Sequence, residues 1–241
     1  MIFKLELIGF TIESCRAAQA AGAHRIELCD NPGEGGTTPS YGFIKAAREA
    51  LQIELYPIIR PRGGDFLYSS EEWRIMQADV QLCRELGCDG VVIGMLRADG
   101  TIDTERCSRL TELAYPMGVT FHRAFDRVAD PFTALEDIIE TGCERILTSG
   151  LQPNAADGAG LIAELVQKAG DRIIIMPGSG VRSDNIAAIA RQTGAVEFHT
   201  SARTYKETAM TYTNAAMQEN MKSVALDEAE VRQIISALQS I

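Results

Sequence analysis

Two arginines and a pair of glycines follow an apolar run in the sequence Ile58-Ile59-Arg60-Pro61-Arg62-Gly63-Gly64-Asp65-Phe66. The pattern indicates a buried strand that ends in a loop. Pro61 has no backbone N–H and favours an extended conformation for Arg60, and the glycine pair allows backbone angles that other residues avoid. Such a loop can fold closely around an anionic or polar group. Arg60 and Arg62 are therefore candidate anion-binding residues.

Carboxylates and histidines lie at similar places, within or at the ends of other apolar runs. The candidate catalytic residues are Glu6, Glu27, His122, Glu197 and His199. A carboxylate beside a histidine is suited to general acid–base catalysis, including proton transfer next to a carbonyl. Schiff-base aldolase chemistry is not expected, because no lysine lies at the C-terminus of a predicted strand.

A second candidate anion site lies in Met176-Pro177-Gly178-Ser179-Gly180-Val181, which follows a predicted strand and precedes a predicted helix. Backbone amides of such a turn, with the helix dipole, can hold a phosphate. The next strand is followed by Ser201 and Arg203. The candidate anion-binding set beyond the two arginines is Thr148, Gly178, Ser179, Gly180 and Ser201.

Eight short apolar runs alternate with amphipathic stretches and supply the elements that hold these residues. The predicted strands are Leu5–Ile8, Arg25–Cys29, Glu54–Arg60, Gly90–Met95, Val119–Arg123, Arg145–Thr148, Arg172–Met176 and Ala195–Thr200. A spacing of about 25 to 30 residues per unit is typical of βαβ units in a parallel sheet. The first strand lacks the glycine-rich turn of a Rossmann fold. We therefore predict an α/β fold, a single-domain (β/α)₈ TIM barrel.

The predicted helices connect these strands and continue after the last of them. They are Ser69–Leu86, Asp103–Tyr115, Pro131–Thr141, Ala155–Ala169, Ser183–Gln192 and a last one near Asp227–Gln239, and Ser40, Ser69 and Asp103 are predicted N-caps. The domain spans residues 1–241, with the barrel over about 1–202 and a C-terminal helical tail over about 203–241. No structure is assigned to Thr204–Asn220.

Alternation along strands separates side chains that face the barrel interior from those under the helices. It turns Glu6, Glu27, Cys29, Arg60, His122, Thr148, Glu197 and His199 inward, with Ile146 and Thr148 as the inward pair of strand six. Polar groups at the C-terminal ends of barrel strands usually mark a ligand site. Buried Glu–Arg pairs can also be structural, so Arg60, Glu6 and Glu27 can partly neutralise one another.

The connection from Asp30 to Ser40 is long for a link between a strand and the following helix. It contains Gly33, Gly35 and Gly36, which let it fold over the barrel mouth. Long connections of this kind are usually functional, and we predict a lid.

Composition excludes several classes of protein. The net charge is −10 and the pI about 4.9, which argues against a sequence-independent nucleic-acid binder. No signal peptide and no apolar run long enough for a membrane span are visible. The six cysteines show no C-x-x-C spacing and are expected to be reduced thiols of a cytoplasmic protein.

The sequence resembles the CutC family of copper homeostasis proteins. The resemblance rests on these segments: Glu27-Leu28-Cys29, Glu34 to Ser40, Ile59 to Phe66, Thr120 to Asp126, Leu147 to Gly150, and Glu197-Phe198-His199. It implies a TIM barrel, a role in copper homeostasis, a homodimer, and Cu(I) binding through two cysteines. One of these matches Cys29, whereas Ile8 stands at the other position. The family's M-x-F-R-N pattern reads Met210-Thr211-Tyr212-Thr213-Asn214.

Three functions remain open from the sequence. The first is a cytoplasmic copper homeostasis protein that binds copper, with Cys29 as the candidate ligand. Cu(I) prefers two or three soft ligands, and the candidates near Cys29 are Met95 and Met176. The second is an enzyme whose arginines hold a small phosphorylated or carboxylated metabolite. The third is a divalent-metal hydrolase or isomerase that uses Glu6, Glu27, His122 and His199.

Overall fold

Eight parallel strands alternate with helices in a computed structural model that describes residues 3–241. The strands are β1 (Lys4–Gly9), β2 (Arg25–Leu28), β3 (Glu54–Pro57), β4 (Gly90–Ile93), β5 (Gly118–Phe121), β6 (Arg145–Thr148), β7 (Ile174–Pro177) and β8 (Glu197–Thr200). They match the eight predicted strands in number and order. The observed strands are mostly shorter, because several residues at the C-terminal ends have left the ladder and belong to the site.

The helices cover the outside of the strands. They are α1 (Ile12–Ala21), α2 (Tyr41–Ala50), α3 (Ser70–Glu85), α4 (Thr104–Ala114), α5 (Pro131–Glu140), α6 (Ala159–Ala169), α7 (Ile186–Thr193) and α8 (Glu228–Gln239). The predicted N-caps Ser40, Ser69 and Asp103 are confirmed, since each side chain accepts a backbone amide hydrogen three residues on. Helix α6 begins four residues later than predicted, because the amide of Ala155 bonds to Ser179 in the next loop.

The strands form two four-stranded parallel sheets, in the orders β3-β2-β1-β8 and β4-β5-β6-β7. A bridge between Ile58 and Val92 joins β3 to β4, and β7 packs beside β8 at the other seam. The predicted TIM barrel is confirmed. Its register places Glu6 of β1 between Arg25 of β2 and His199 of β8, so charged side chains from three neighbouring strands meet inside the barrel.

Between β8 and α8 the chain includes Thr204–Asn220, for which the sequence predicts no structure, and the first part of the predicted helical tail is not α-helical. It contains an antiparallel pair, β9 (Arg203–Lys206) and β10 (Ser223–Leu226), joined by an irregular stretch. Helix α8 then packs against α1 and α7 and buries Val231, Ile234 and Leu238. The predicted C-terminal helix therefore fills the eighth position in the ring of helices.

Alternation in β6 is the reverse of the prediction. Arg145 and Leu147 face the interior, where Arg145 bonds to Glu197 and Thr120 and where Leu147 lines a cavity. Ile146 belongs to the apolar layer under the helices. The prediction relied on the polar Thr148 at the strand end, but the charge of Arg145 determines the inward face, because it neutralises a buried glutamate.

No helix in residues 3–241 is long and apolar enough to cross a membrane.

Candidate active site at the barrel mouth

A cavity of about 260 Å³ opens at the C-terminal ends of the strands. Seven of the residues singled out from the sequence line it: Glu27, Arg60, His122, Ser179, Gly180, His199 and Ser201. Pro32 and Gly35, from the predicted lid, also reach its wall. Parallel strands bring their ends together at this face, which is where TIM barrels carry their ligand sites.

Among residues 3–241, Glu27 is the single carboxylate that lines the cavity. It is 3% exposed and accepts no hydrogen bond from residues 3–241. Burial raises its pKa from 4.5 to about 7, an effect that the charge of His199 partly opposes and that of Glu6 increases. A carboxyl group that titrates near neutrality can both accept and donate a proton at physiological pH, as general acid–base catalysis requires.

His199 lies between Glu27 and Glu6. Its Nδ1 is 2.8 Å from Oε1 of Glu6, and its Nε2 is 3.7 Å from Oε2 of Glu27. The pKa of Glu6 is lowered to about 2, because the hydrogen bond and charge of His199 and the charges of Arg25 and Arg145 outweigh its burial. Glu6 is therefore ionised and can only accept, so Nδ1 carries the proton. Although burial opposes it, the pKa of His199 is raised above 6.5 by its bond to Glu6 and the charge of Glu27.

His122 is a neutral hydrogen-bond donor. Its pKa is lowered to about 3 by burial and by the charge of Arg60. Nδ1 accepts the amide hydrogen of Ala124, so the proton of the neutral ring is on Nε2. Nε2 is buried and has no partner among residues 3–241. The ring fits only because position 94 is glycine, where a Cβ would lie 2.4 Å from two ring atoms. No sequence pattern predicts this role of Gly94.

Arg60 organises the loops around the cavity. Its guanidinium donates to the carbonyl oxygens of Glu34, Gly36 and Gly64 and stacks over the ring of Phe66. It is 5% exposed, its Nε has no partner, and no carboxylate of residues 3–241 lies within 4.0 Å of it. The predicted neutralisation of Arg60 by Glu6 and Glu27 is therefore wrong at the level of direct ion pairs. A buried positive charge opposed only by carbonyl dipoles favours a ligand with negative oxygens.

A second ionic layer lies deeper in the barrel. Glu197 accepts from Arg25 at 3.0 Å and from Arg145 at 2.6 Å, and Arg25 also donates to Glu6 at 3.2 Å. Glu197 precedes His199 by two residues on β8, which places it about 7 Å lower along the strand. It does not line the cavity. The prediction that Glu197 is catalytic is therefore corrected, since it is the counter-ion of two buried arginines.

Arg62 and Thr148 also lie outside the cavity lining. Arg62 is paired with Asp65 at 2.9 Å and Glu72 at 2.5 Å on the outer side of its loop. Thr148 donates to Asp126 at 2.6 Å because its side chain faces away from the barrel interior. Both predictions of anion binding are corrected. Asp126 was not among the candidate residues from the sequence. By accepting the hydrogen bond from Thr148 it connects the Thr120 to Asp126 motif to the end of β6.

The loop after β7 reaches the cavity through its backbone. The hydroxyl of Ser179 donates to the carbonyl of Pro153 and is not free for a ligand. Gly178 lies beneath the lining and leaves room for Leu147 and His199, since a Cβ there would be 2.4 Å from the former. The predicted helix dipole is not placed at this turn, because α7 begins only at Ile186.

The charge of the cavity wall is opposite to that of the whole chain. Among residues 3–241, four arginines line it, namely Arg60, Arg123, Arg182 and Arg203, against one carboxylate, Glu27. Arg123 is paired with Asp126 at 2.7 Å and Arg182 with Glu230 at 3.4 Å, so the lining arginines without a carboxylate partner in the described residues are Arg60 and Arg203. The chain as a whole has a net charge of −10. Of the four, only Arg60 was in the candidate anion-binding set from the sequence, and Arg203 was noted beside Ser201. A cavity of this charge attracts small anions.

Two groups of residues are candidates for holding a metal ion. Glu6, Glu27 and His199 each offer one ligand atom within 4.8 Å of the others, but Glu6 is already bonded to Arg25 and His199. The atoms left free to bind a metal are the carboxylate oxygens of Glu27 and Nε2 of His199. These two residues are fewer than the three protein ligands usual for catalytic zinc. Cys29 is fully buried in a cluster with Ile8, Phe10, Tyr56, Ile58 and Val92. Burial raises the pKa of the Cys29 thiol, and so does the neighbouring Cys15 thiol, which belongs to the apolar layer under the helices. Within residues 3–241 the cluster itself supplies one soft ligand, whereas Cu(I) prefers two or three.

Comparison with protein families identifies the chain: the model of the CutC family matches residues 3–204. This protein belongs to the CutC family. A CutC family protein of Chromobacterium violaceum is 52% identical over 98% of this chain and 94% of its own length. The human copper homeostasis protein cutC homolog is 45% identical over 89% of this chain and 79% of its own length.

Among solved structures, the CutC protein of Streptococcus agalactiae superimposes with a TM-score of 0.79 at 35% identity. The match covers 83% of this chain and 99% of that one. The family predicted from the segments around Cys29, Arg60 and His122 is thereby confirmed, together with its barrel. The names of the human and bacterial relatives link the family to copper homeostasis.

Proposed function

We propose that this CutC protein is a cytoplasmic copper homeostasis protein that acts as an enzyme on a small phosphorylated or carboxylated metabolite. The copper homeostasis role comes from the names of its relatives. The enzymatic part rests on one observation: in the described residues, Arg60 and Arg203, which have no carboxylate partner, and a single glutamate, whose pKa is about 7, line the same cavity. A cavity built this way attracts an anion and offers it one group for proton transfer.

The chemistry that suits these groups is proton transfer next to a carbonyl. The Nε2–H of His122 is a fixed donor that can polarise a carbonyl oxygen, because its neutral tautomer is set by Ala124. Glu27 is the base that removes the proton from the neighbouring carbon. His199, held by Glu6, stabilises the ionised form of Glu27 and can relay its proton.

Ligand binding at the mouth is tested by thermal unfolding with a panel of small phosphates and carboxylates at pH 7.5. At least one compound is expected to raise the melting temperature of the wild type through mass-action linkage. The shift is expected to be lost in His122→Phe, which removes the free donor. His24→Phe is the matched control at the opposite end of the barrel and should retain it. Absence of a shift from every compound would count against the proposal.

Copper binding is the second candidate function, favoured by the family's naming and by the presence of Cys29. If Cys29 is a ligand, Cys29→Ser is expected to weaken Cu(I) binding at least tenfold in competition with a chromophoric chelator. Unchanged affinity would exclude Cys29 as a copper ligand.

Metal analysis of protein purified without chelators tests the divalent-metal alternative at Glu27 and His199, which requires a stoichiometric ion.

A homodimer is the proposed assembly. The segment from β9 to β10 exposes Tyr205, Met210, Tyr212 and Met217, each more than half accessible. Contiguous exposed apolar side chains are typical of an interaction surface. Sedimentation velocity of the wild type against a variant with Tyr212→Ser and Met217→Ser tests this, since the variant should sediment as a monomer. We propose neither a nucleic-acid nor a membrane partner.

A further inference from the structure

The loop after β7 contains the three successive residues Ser179, Gly180 and Val181. None of the three amides donates a hydrogen bond within residues 3–241. All three carbonyls have partners: Ser179 accepts from the amide of Ala155 at 2.9 Å, Gly180 from Asn185 at 2.8 Å and Val181 from Thr200 at 2.7 Å. The peptide units are thus fixed through their oxygens, while the N–H groups remain free.

The backbone of this loop is strained at two consecutive residues. Ser179 has φ +77° and Gly180 has φ +68°, and successive free N–H groups in a turn can form an anion-binding concavity, or nest. A serine at positive φ is strained, and such strain is concentrated at ligand clamps. The Ser179 hydroxyl holds the strained conformation by donating to Pro153 at 2.7 Å. A side chain at Gly180 is disfavoured by its positive φ and by the 2.7 Å approach of a Cβ to Oδ1 of Asn154.

The same concavity carries further donors and positive charge. All three residues line the cavity, together with Ser201, whose amide and hydroxyl make no hydrogen bond within residues 3–241. Val181 is 2% exposed, so its free amide is not simply hydrated at the surface. Arg203 lines the same wall beside Arg182, which is paired with Glu230 at 3.4 Å, and within residues 3–241 Glu27 is the only carboxylate of the cavity lining.

We propose that the amides of Ser179, Gly180 and Val181, with Ser201, form a phosphate subsite, and that the substrate is therefore a small phosphate monoester. This inference rests on the proposed function, which leaves open whether the anion is a phosphate or a carboxylate. A phosphate monoester has three terminal oxygens and a charge near −2, which match several unpaired N–H groups on one cavity wall and the charge of Arg203. A planar carboxylate accepts in one plane and leaves part of this set unused.

The subsite is tested by calorimetric titration with inorganic phosphate, and with malonate as a carboxylate of equal charge, at pH 8. Ser201→Asp introduces a negative charge at the nest and is expected to weaken phosphate binding at least tenfold. Ser240→Asp adds the same charge at the exposed C-terminal end of α8, outside the cavity lining; it is the matched control and should bind within about threefold of the wild type.

The binding results distinguish failure of the phosphate subsite from failure of anion binding at the whole barrel mouth. Equal phosphate affinity of Ser201→Asp and wild type overturns the subsite, because phosphate then binds elsewhere. Malonate binding without phosphate binding overturns the phosphate assignment and leaves the acid–base site at Glu27 standing. If neither anion binds, the anion-binding function of the mouth is overturned as well.

Discussion

Replacement of Glu27 by glutamine is expected to stabilise the protein by about 3 kcal/mol at pH 8. The folded protein holds this carboxyl in a buried site where its pKa is about 7, against 4.5 when unperturbed. One pKa unit corresponds to about 1.4 kcal/mol. Above pH 7 the wild type therefore carries the full cost of an ionised buried carboxylate, which a neutral amide of the same shape removes.

The sign of the pH dependence follows from the raised pKa. Between about pH 4.5 and 7 the folded state binds a proton at Glu27 that the unfolded chain has released, so stability falls as pH rises. Glu27→Gln lacks this proton, and its advantage over the wild type should grow from near zero at pH 4.5 to its full value above pH 7. Urea unfolding at several pH values measures the difference.

The control for this prediction is Glu13→Gln on the surface of α1, where the side chain is 78% exposed. It should change the free energy of unfolding by less than about 0.5 kcal/mol at every pH. A loss of stability in Glu27→Gln at pH 8 would contradict the assignment of Glu27 as an unpaired buried carboxylate. Residues that a site requires for catalysis often reduce stability in this way.

Glu197→Gln is expected to destabilise the protein by about 3–5 kcal/mol. Glu197 is the shared acceptor of Arg25 and Arg145, and all three side chains are less than one-tenth exposed. Removal of its charge leaves two buried guanidinium groups with one buried partner, Glu6, and breaking a buried ion pair typically costs this much. Chemical denaturation at pH 7 gives the free energy of unfolding.

The matched control is Glu54→Gln, because Glu54 pairs with the same Arg25 at 2.8 Å but is 39% exposed. Solvent screens that pair, and a loss below about 1 kcal/mol is expected. Equal, small losses in both variants would mean that the deeper layer is not a structural ionic network. The lower pKa of Glu197, which the arginines hold down against burial, has the same origin.

The sequence predicted the barrel and the polar strand ends that reach the cavity because period-two alternation is strong where one face is buried. Strand β2 shows this clearly: Ile26 and Leu28 pack under the helices, and Glu27 faces inward. Strand β6 was misread because Arg145 stands at its start, and its charge became informative only once Glu197 was placed opposite.

Alternation of side chains along the strands does not predict three features of the site. Depth along the barrel axis separates Glu197 from His199, although both face inward. Loop folding decides that Arg60 turns toward the cavity while Arg62 pairs with Asp65 and Glu72. A hydrogen bond from a neighbouring backbone amide fixes the tautomer of His122, and the course of the loop leaves the amides of Ser179 to Val181 without partners in residues 3–241. No pattern of side chains in the sequence predicts either feature.

The most direct test of an acid–base site at the barrel mouth is solvent exchange. Wild type and Glu27→Gln are incubated in D₂O with small carbonyl compounds that carry a phosphate or a carboxylate, and mass spectrometry detects carbon-bound deuterium. We predict that the wild type labels at least one compound and that Glu27→Gln leaves it unlabelled while still binding it. Labelling of no compound by the wild type, or equal labelling by the variant, would contradict proton transfer by Glu27.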